Sequence, residues 1–541
     1  MAEAKNILLI HPTFAADWFM GHYDSVCRLV GTKQPSPPLG LMTIAAMLPS
    51  HWRVRLLDKN TETLSNSDIE AADLVMVGGM ISQQRDMLQL IDRVHSLGKQ
   101  IVLGGPDPTS SPHIYKAADF ILVGEAEGVI DDLLAAWLRG DLGGRFEAKR
   151  FTADMTASPV PRFDLINTAD YLQVSLQFSR GCPFTCEFCD VIELYGRVPR
   201  LKTPNQAIVE LQALYDHGYR GVIYVVDDNL IGNKKAIRSL LPHICEWQKA
   251  HRYPFQFHTA VSLNVGDDLD LLQDLRRANF FSVFIGIESA DTDVLNMMKK
   301  KQNTKHDMVR RLDNIHAAGL TVTAGFVIGF DNEGDHLVPS MINLIETGAI
   351  SICMFALLCA LPDTQLTRRL RLEGRMFDDP GAMFYEDGGG SCLAGLNFET
   401  KRPREQIVRD FATVLDRVYE PKAYFDRILR AARRMNVRSA LGSSDLKAIG
   451  RDLRRWMVLT RNFHRVHPDL VALFWSTILK CLITRPRSLK SMMLMIAMYG
   501  HLRAFATRAV NEVDGKLAGA VRAAGPPPRT AAEPVAISAV G

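Results

Sequence analysis

Residues 179–190 read SRGCPFTCEFCD, which places Cys182, Cys186 and Cys189 close together in the pattern C-x3-C-x2-C. The pattern directly follows LQVSLQF, an apolar run that reads as a β-strand. A structural zinc site closes four ligands, normally with two CxxC-type pairs or with Cys and His together. No suitably spaced Cys or His pair follows here, so zinc would need a fourth ligand from a distant part of the chain. Iron–sulfur clusters are likewise held by close-set thiolates. Three thiolates on a four-iron cluster leave one iron open to a substrate or cofactor, and the missing fourth cysteine then marks the place of chemistry.

The rest of the chain sets the context for that loop. Its 541 residues exceed one ordinary core, so two or three domains are expected. The composition, 47% hydrophobic and 23% charged, is that of a globular protein, and a net charge of +3 gives no reason to expect nucleic acid. MAEAKNILLIHP reads as a first strand and lacks the apolar length of a signal peptide. No uninterrupted apolar run has transmembrane length. The expected compartment is the reducing cytoplasm, where clustered cysteines favour metal or redox chemistry over disulfides.

Organisation follows from periodicity. In residues 1–140, KNILLI, WRVRLLD, ADLVMVGGM, KQIVLGG and ADFILVGE read as five strands separated by helices, which implies a parallel sheet covered on both faces. Gly78-Gly79, Gly104-Gly105 and Gly124-Glu125 fall at the carboxyl ends of three strands, the edge where open α/β sheets bind ligands. Residues 141–165 read as a linker. In residues 166–400 six more strands alternate with helices, as in a full or partial β/α barrel with functional residues at strand ends. Residues 401–515 read as helical, and 516–541 as a disordered tail.

The aromatic Phe188 inside C-x3-C-x2-C gives the loop a close resemblance to the radical S-adenosylmethionine (SAM) enzymes. In that family Cys182, Cys186 and Cys189 would ligate three irons of a [4Fe–4S] cluster. The open iron would chelate SAM, with Phe188 beside the adenine. Asp227-Asp228-Asn229 ends the second strand, where many members carry Gly-Gly-Glu to hold the SAM amine. Glu288 and Ser289 match the segment that contacts the ribose and methionine end, and Gly325 and Gly329 match the strand near the adenine. A parallel domain upstream resembles the cobalamin-binding domain of the cobalamin-dependent class, with VGGM, LGGPDPT and VGEAEG as its cofactor edge. D-x-H-x-x-G is absent from that domain, so the resemblance implies cobalamin without a protein histidine on its lower face. His11, His22, His51, His95 and His113 fit no ligand spacing. Methylthiotransferases need three further upstream cysteines, whereas only Cys27 lies upstream. Cys245, Cys353, Cys359, Cys392 and Cys481 read as buried thiols, with Cys353 and Cys359 flanking a late strand.

The fold class that results is α/β: an N-terminal Rossmann-like cobalamin-binding domain, a radical SAM partial β/α barrel and a C-terminal helical region. The resemblance implies that SAM yields a 5′-deoxyadenosyl radical, which takes a hydrogen atom from an unactivated carbon. Methylcobalamin then supplies a methyl group, and a second SAM replenishes it. This scheme needs no general base and none is nominated. An external reductase, flavodoxin or ferredoxin would donate the electron. Residues 5–505 resemble the hopanoid C2 methylases, which methylate the A ring of triterpenoid lipids. Arg427, Arg430, Arg433, Arg434, Arg438, Arg451, Arg454, Arg455, Arg461 and Arg465 face few acids in sequence. With the apolar helices around them, they make either a plain helical cap or a peripheral contact with the inner face of an anionic membrane. The alternatives are the same cofactors acting on a tetrapyrrole or other natural-product precursor, and a non-catalytic cobalamin sensor.

Overall fold

The computed structural model describes residues 3–14, 26–27, 30–377, 395–436 and 446–523. His22, Cys392, Arg438 and residues 524–541 lie outside the described residues, as do the side chains of Arg451 and Arg455.

The first sheet holds β1 (Asn6–His11), β2 (Arg53–Asp58), β3 (Leu74–Gly78), β4 (Ile101–Gly104), β5 (Phe120–Val123) and β6 (Gly144–Glu147). Their order is β2-β1-β3-β4-β5-β6 and every pairing is parallel. The interior strands are continuous apolar runs because helices cover both faces. The sixth strand lies in the stretch expected to be a linker. Its sequence, GRFE, has no apolar run and its residues alternate between half-buried and exposed at the sheet edge, so hydropathy does not reveal it.

The second sheet comprises β7 (Val174–Leu176), β10 (Gly221–Val225), β11 (Phe255–Ala260), β12 (Phe280–Glu288), β13 (Thr321–Ile328) and β14 (Ile352–Leu357). These are the six expected strands, all parallel, in sequential order β14-β13-β12-β11-β10-β7. Between β7 and β10 a small antiparallel pair, β8 (Ser179–Arg180) and β9 (Arg200–Leu201), clasps the cysteine loop at its base. The helix Pro204–Asp216 that follows is fixed by sequence. Thr203 caps it with a Thr203–Gln206 capping box, and Pro204 occupies its first turn.

One apolar core runs without interruption from one face of the first sheet, through Phe163 and Tyr171, into the barrel and on to the C-terminal helices. The other face of the first sheet has a separate core around Leu57, Val75, Met87 and Leu103. The C-terminal helices are Arg404–Val418, Pro421–Arg434, Leu446–Val466, Val471–Thr484 and Leu489–Ala523. The last of these extends through residues 516–523, which were expected to be tail; Ala and Lys in KLAGAVRA favour the helix.

The arginines of Pro421–Arg434 correct another expectation. Arg427 is fully buried against Glu346, Arg430 pairs with the same carboxylate, and Arg434 reaches Asp313 at 2.6 Å. Those three fasten the cap to barrel helices, because their acids come from distant sequence. Arg454, Arg461 and Arg465 are exposed.

Candidate functional site

The cysteine loop is pinned from below by the end of β10. Asp227, buried, accepts the Phe178 N–H at 2.7 Å and the Ser179 hydroxyl at 2.6 Å. Asp228 accepts the Gly181 N–H at 2.8 Å. Gly181 has φ +98°, and a Cβ there would lie 3.0 Å from the Gly196 carbonyl oxygen, so only glycine fits the turn. Burial pushes Asp227 up to about 6 and Asp228 up to about 7, against the pull of the N–H groups they hold. The third residue, Asn229, bonds Ser262, and its side-chain amide points at Cys182 Sγ from 3.9 Å.

The three thiols are free and lie near one another, with Cys186 buried and Cys182 and Cys189 partly buried. Burial holds the Cys182 and Cys189 thiols above their ordinary value, so a bound cation must supply the field that makes them thiolates. No three His, Cys, Asp or Glu side chains among the described residues are grouped to hold a single metal ion. The donor set, three sulfurs with amide N–H groups beside them, suits a multi-iron cluster better than a lone zinc ion.

The segment 298–303 wraps the other side of the loop. Met298 C=O accepts the Glu187 N–H at 3.0 Å. Lys300 turns inward, 2.7 Å from Glu288 and 5.8 Å from the Phe188 ring centre. Burial alone would lower its pKa, but the Glu288 carboxylate outweighs that and raises it. Gln302 donates to Cys186 Sγ at 3.6 Å, while its side-chain Oε1 is buried without a partner. Phe188 also meets Phe330 edge-on at 5.8 Å.

Glu288 sits at a bulge where β12 shifts register against β13, and it takes φ +66°. A Cβ at Gly286 would come 2.3 Å from the Glu288 carboxylate and 3.0 Å from Lys300 Nζ. Gly286 therefore makes room for that buried pair. Ser289 is fully buried and its hydroxyl accepts the Asp291 N–H at 3.1 Å, which commits it to the turn. Gly325 lies opposite Gly286, close against Phe284. Gly329, at φ +121°, donates its N–H to Glu333 at 2.9 Å.

At the upper edge of the first sheet, Gly78 and Gly104 are direct partners, so the turns of Gly79 and Gly105 lie side by side. Gly105 has φ +99°, and a Cβ there would sit 3.1 Å from Gly79 backbone atoms. Gly124 takes φ +93° and donates to Thr109 Oγ1 at 2.9 Å. Three bare backbone turns thus line one edge. Half-buried His11 ends β1 on this edge, and desolvation lowers its pKa.

Glu125 does something the sequence reading did not foresee. With Glu127 it crosses to the cysteine loop: Arg180 makes a two-pronged contact with Glu127 at 2.8 and 3.0 Å and also meets Glu125 at 3.0 Å. Arg200 meets Glu125 at 2.8 Å. The antiparallel partnership of β8 and β9 sets Arg180 beside Arg200, at the base of the cysteine loop. The glycine edge and the cysteine loop are therefore joined by ion pairs that are almost dry, with each Glu side chain 5–7% exposed. Sequence reasoning missed Arg180, Arg200, Glu127, Gly286, Lys300 and Gln302; only Lys300 and Gln302, within KKKQN, had a local oddity to notice.

Three family models match successive parts of the chain. Residues 25–134 match the B12 binding domain, 176–345 the radical SAM superfamily, and 364–514 a domain of unknown function (DUF4070). The chain is 39% identical over 425 residues to an uncharacterized methyltransferase of Synechocystis sp., covering 78% of each chain. It is 34% identical over 518 residues to the hopanoid C-2 methylase of Rhodopseudomonas palustris, covering 94% of each. A bacteriochlorophyllide d C-12(1)-methyltransferase of Chlorobaculum tepidum is 22% identical over 409 residues, 74% of this chain and 86% of that one. Among solved structures, the cobalamin-dependent SAM radical enzyme OxsB shares the fold at TM-score 0.59 and 15% identity, over 96% of this chain and 81% of that one. The radical SAM methyltransferase TsrM of Kitasatospora setae gives 0.58 and 14%, over 78% and 90%.

Proposed function

The chain belongs to the cobalamin-dependent radical SAM methyltransferases, and on that premise we propose that it methylates an unactivated carbon of a polycyclic lipid, C2 in the A ring of a hopanoid. Together the family's cofactors, a [4Fe–4S] cluster, SAM and cobalamin, supply the radical that opens a C–H bond and the methyl group that replaces the hydrogen. The remaining work is positioning and exclusion of water, and that falls to the residues described above. Cys182, Cys186 and Cys189 are assigned to the cluster, supported by the amide N–H groups of Asn229 and Gln302 aimed at two of the sulfurs. The Glu288–Lys300 pair, Phe188, Gly325 and Gly329 are assigned to SAM, and the turns at Gly78-Gly79, Gly104-Gly105 and Gly124 to cobalamin. Asp227 and Asp228 hold the loop in place through its backbone.

The observation that carries the substrate assignment is the 34% identity to a hopanoid C-2 methylase, which runs through 94% of the chain. The surface of the C-terminal helices supports it. Trp475, Leu479, Leu482 and Ile483 form one exposed apolar stripe on the helix Val471–Thr484, with Leu453, Met457 and Val458 exposed on the helix before it. Arg454, Arg461, Arg465 and Lys480 are exposed beside them. No single described helix is long and apolar enough to cross a membrane, and the two helices are bent 111° to one another. An apolar stripe rimmed by cations suits the surface of an anionic bilayer, from which a lipid could be drawn.

The test is mass spectrometry of total lipids from a hopanoid-producing host lacking C2 methylation, with and without this gene. The expected result is a new triterpenoid one methyl heavier, with the methyl placed on the A ring by fragmentation. An unchanged lipid profile from cells whose purified protein holds cluster and cobalamin would refute the lipid assignment. The tetrapyrrole chemistry of the bacteriochlorophyllide relative would then be tested next.

A further inference from the structure

One cavity of about 340 Å³ opens on the outer side of the cysteine loop. Pro183, Phe184 and Thr185, the three residues between the first two cysteines, form part of its wall. The rest is strongly cationic: Arg197, Lys234, Lys299, Lys301, Lys305 and Arg311, with Asp267 the single acid among the lining residues. Arg311 is matched by Asp267 at 2.6 Å and Lys234 by Asp268 at 3.2 Å. Arg197, Lys299, Lys301 and Lys305 are exposed and have no acidic partner among the described residues. Four uncompensated cations around one opening are a poor arrangement for stability, since each repels the others.

The segment that carries three of them alternates its direction. Lys300 and Gln302 face inward, to Glu288 and to Cys186 Sγ, while Lys299, Lys301 and Lys305 face the solvent. A single stretch of backbone therefore has the thiols on one side and the cationic opening on the other. Gln302 belongs to both, because it lines the cavity and donates to Cys186. On this side Pro183–Thr185 and the 299–302 segment stand between the cysteines and the opening.

We propose that this cationic opening is the docking surface for a small acidic one-electron carrier protein of the flavodoxin kind. The proposal rests on the functional reading above, in which one external electron is required for each SAM cleaved. One electron leaves the reduced flavin of the carrier for the cluster, with no bond made or broken and no proton transferred. Charge complementarity brings the carrier's acidic rim onto Arg197, Lys299, Lys301 and Lys305, and the thin loop keeps the two redox groups close. Among these cations, Lys299 is held by Gln365 at 2.7 Å.

The experiment uses the full-length holoenzyme under anaerobic conditions, a bacterial flavodoxin as the carrier, and reduced methyl viologen as a small cationic reductant with no affinity for a basic surface. Two variants are compared with the parent: Lys305→Glu alone, and the triple Arg197→Glu, Lys301→Glu, Lys305→Glu. Iron content and thermal unfolding establish that each is loaded and folded. Affinity for flavodoxin is read by direct binding, and SAM cleavage by release of 5′-deoxyadenosine. The triple variant is expected to bind flavodoxin at least about 30-fold more weakly at low salt, with flavodoxin-driven cleavage slowed similarly. The single variant falls between, and methyl viologen-driven cleavage changes less than about twofold. Parent affinity is expected to drop steeply between about 50 and about 300 mM salt. Unchanged flavodoxin affinity in the triple variant would overturn the proposal. So would an equal loss of the viologen-driven rate, which would put these residues inside the cluster site. Failure of the parent to cleave SAM with methyl viologen would instead refute the functional reading on which the proposal stands.

Discussion

The bridge between the glycine edge and the cysteine loop gives the most demanding prediction. Glu127 and Arg180 share two hydrogen bonds at 2.8 and 3.0 Å, with side-chain exposures of 7% and 13%. Burial alone would raise the Glu127 pKa, yet Arg180 more than offsets it and holds the carboxylate low, so the pair is ionised near neutral pH. Removing one partner of a buried pair costs about 3–5 kcal/mol when the other is left uncompensated. In Glu127→Gln, Arg180 keeps Glu125 at 3.0 Å and Gln177 at 2.8 Å, so a loss of about 2 kcal/mol is the better figure. That corresponds to about a 30-fold shift toward local separation of the two edges. The shared apolar core keeps the domains together, so the protein stays folded. Hydrogen exchange should therefore speed up in peptides covering 120–130 and 178–201 and nowhere else. Under the proposed function, SAM cleavage persists while methyl transfer falters, so 5′-deoxyadenosine released per methylated product rises. Unchanged exchange in both peptides, or parallel loss of cleavage and methylation at a constant ratio, would refute the reasoning.

Four further outcomes are expected. Cys186→Ala should abolish cluster retention, read as iron and sulfide per chain, and all SAM cleavage with it; retention of both would overturn the ligand assignment. Gly286→Ala places a methyl where the Glu288 carboxylate lies, 2.3 Å away, and that flexible group would yield by leaving Lys300. Stability should fall by only about 1 kcal/mol, whereas SAM affinity, measured by equilibrium dialysis, should fall tenfold or more; undisturbed affinity would sever the pair from SAM. Burial pushes Glu333 up to about 7 against its ordinary 4.5, so its contribution is fully present below pH 4.5 and is lost as pH rises through 7. The loss amounts to about 3 kcal/mol, and Glu333→Gln should raise the melting temperature at pH 8 relative to pH 5, an effect absent if the carboxyl is already ionised at pH 5. Leu479→Ser with Ile483→Ser, at positions 58% and 74% exposed, should reduce binding to anionic liposomes about tenfold without lowering the melting temperature. Equal liposome binding would leave the C-terminal helices a plain cap.

The strands of the barrel and of the first five positions in the N-terminal sheet are legible because parallel strands buried on both faces are short apolar runs. The sixth N-terminal strand is not, because GRFE at an edge owes its place to pairing with β5 and not to its own hydropathy. The C-terminal arginines show the same limit. Arg427, Arg430 and Arg434 look like a basic face along the sequence, yet their acids, Glu346 and Asp313, come from barrel helices at least 80 residues earlier.

The sequence by itself determines the α/β class, the family, and the close spacing of the three cysteines. These are local facts: strand periodicity, glycine turns and thiol spacing are written in neighbouring residues. The tertiary structure alone decides which partner each charge meets. It turns Asp227 and Asp228 toward the backbone of the cysteine loop, sets Lys300 between Glu288 and the thiols, and brings Glu125 and Glu127 across to Arg180 and Arg200. A charge is long-ranged and carries no periodicity, so its partner becomes known only when the chain has brought distant residues within hydrogen-bond reach.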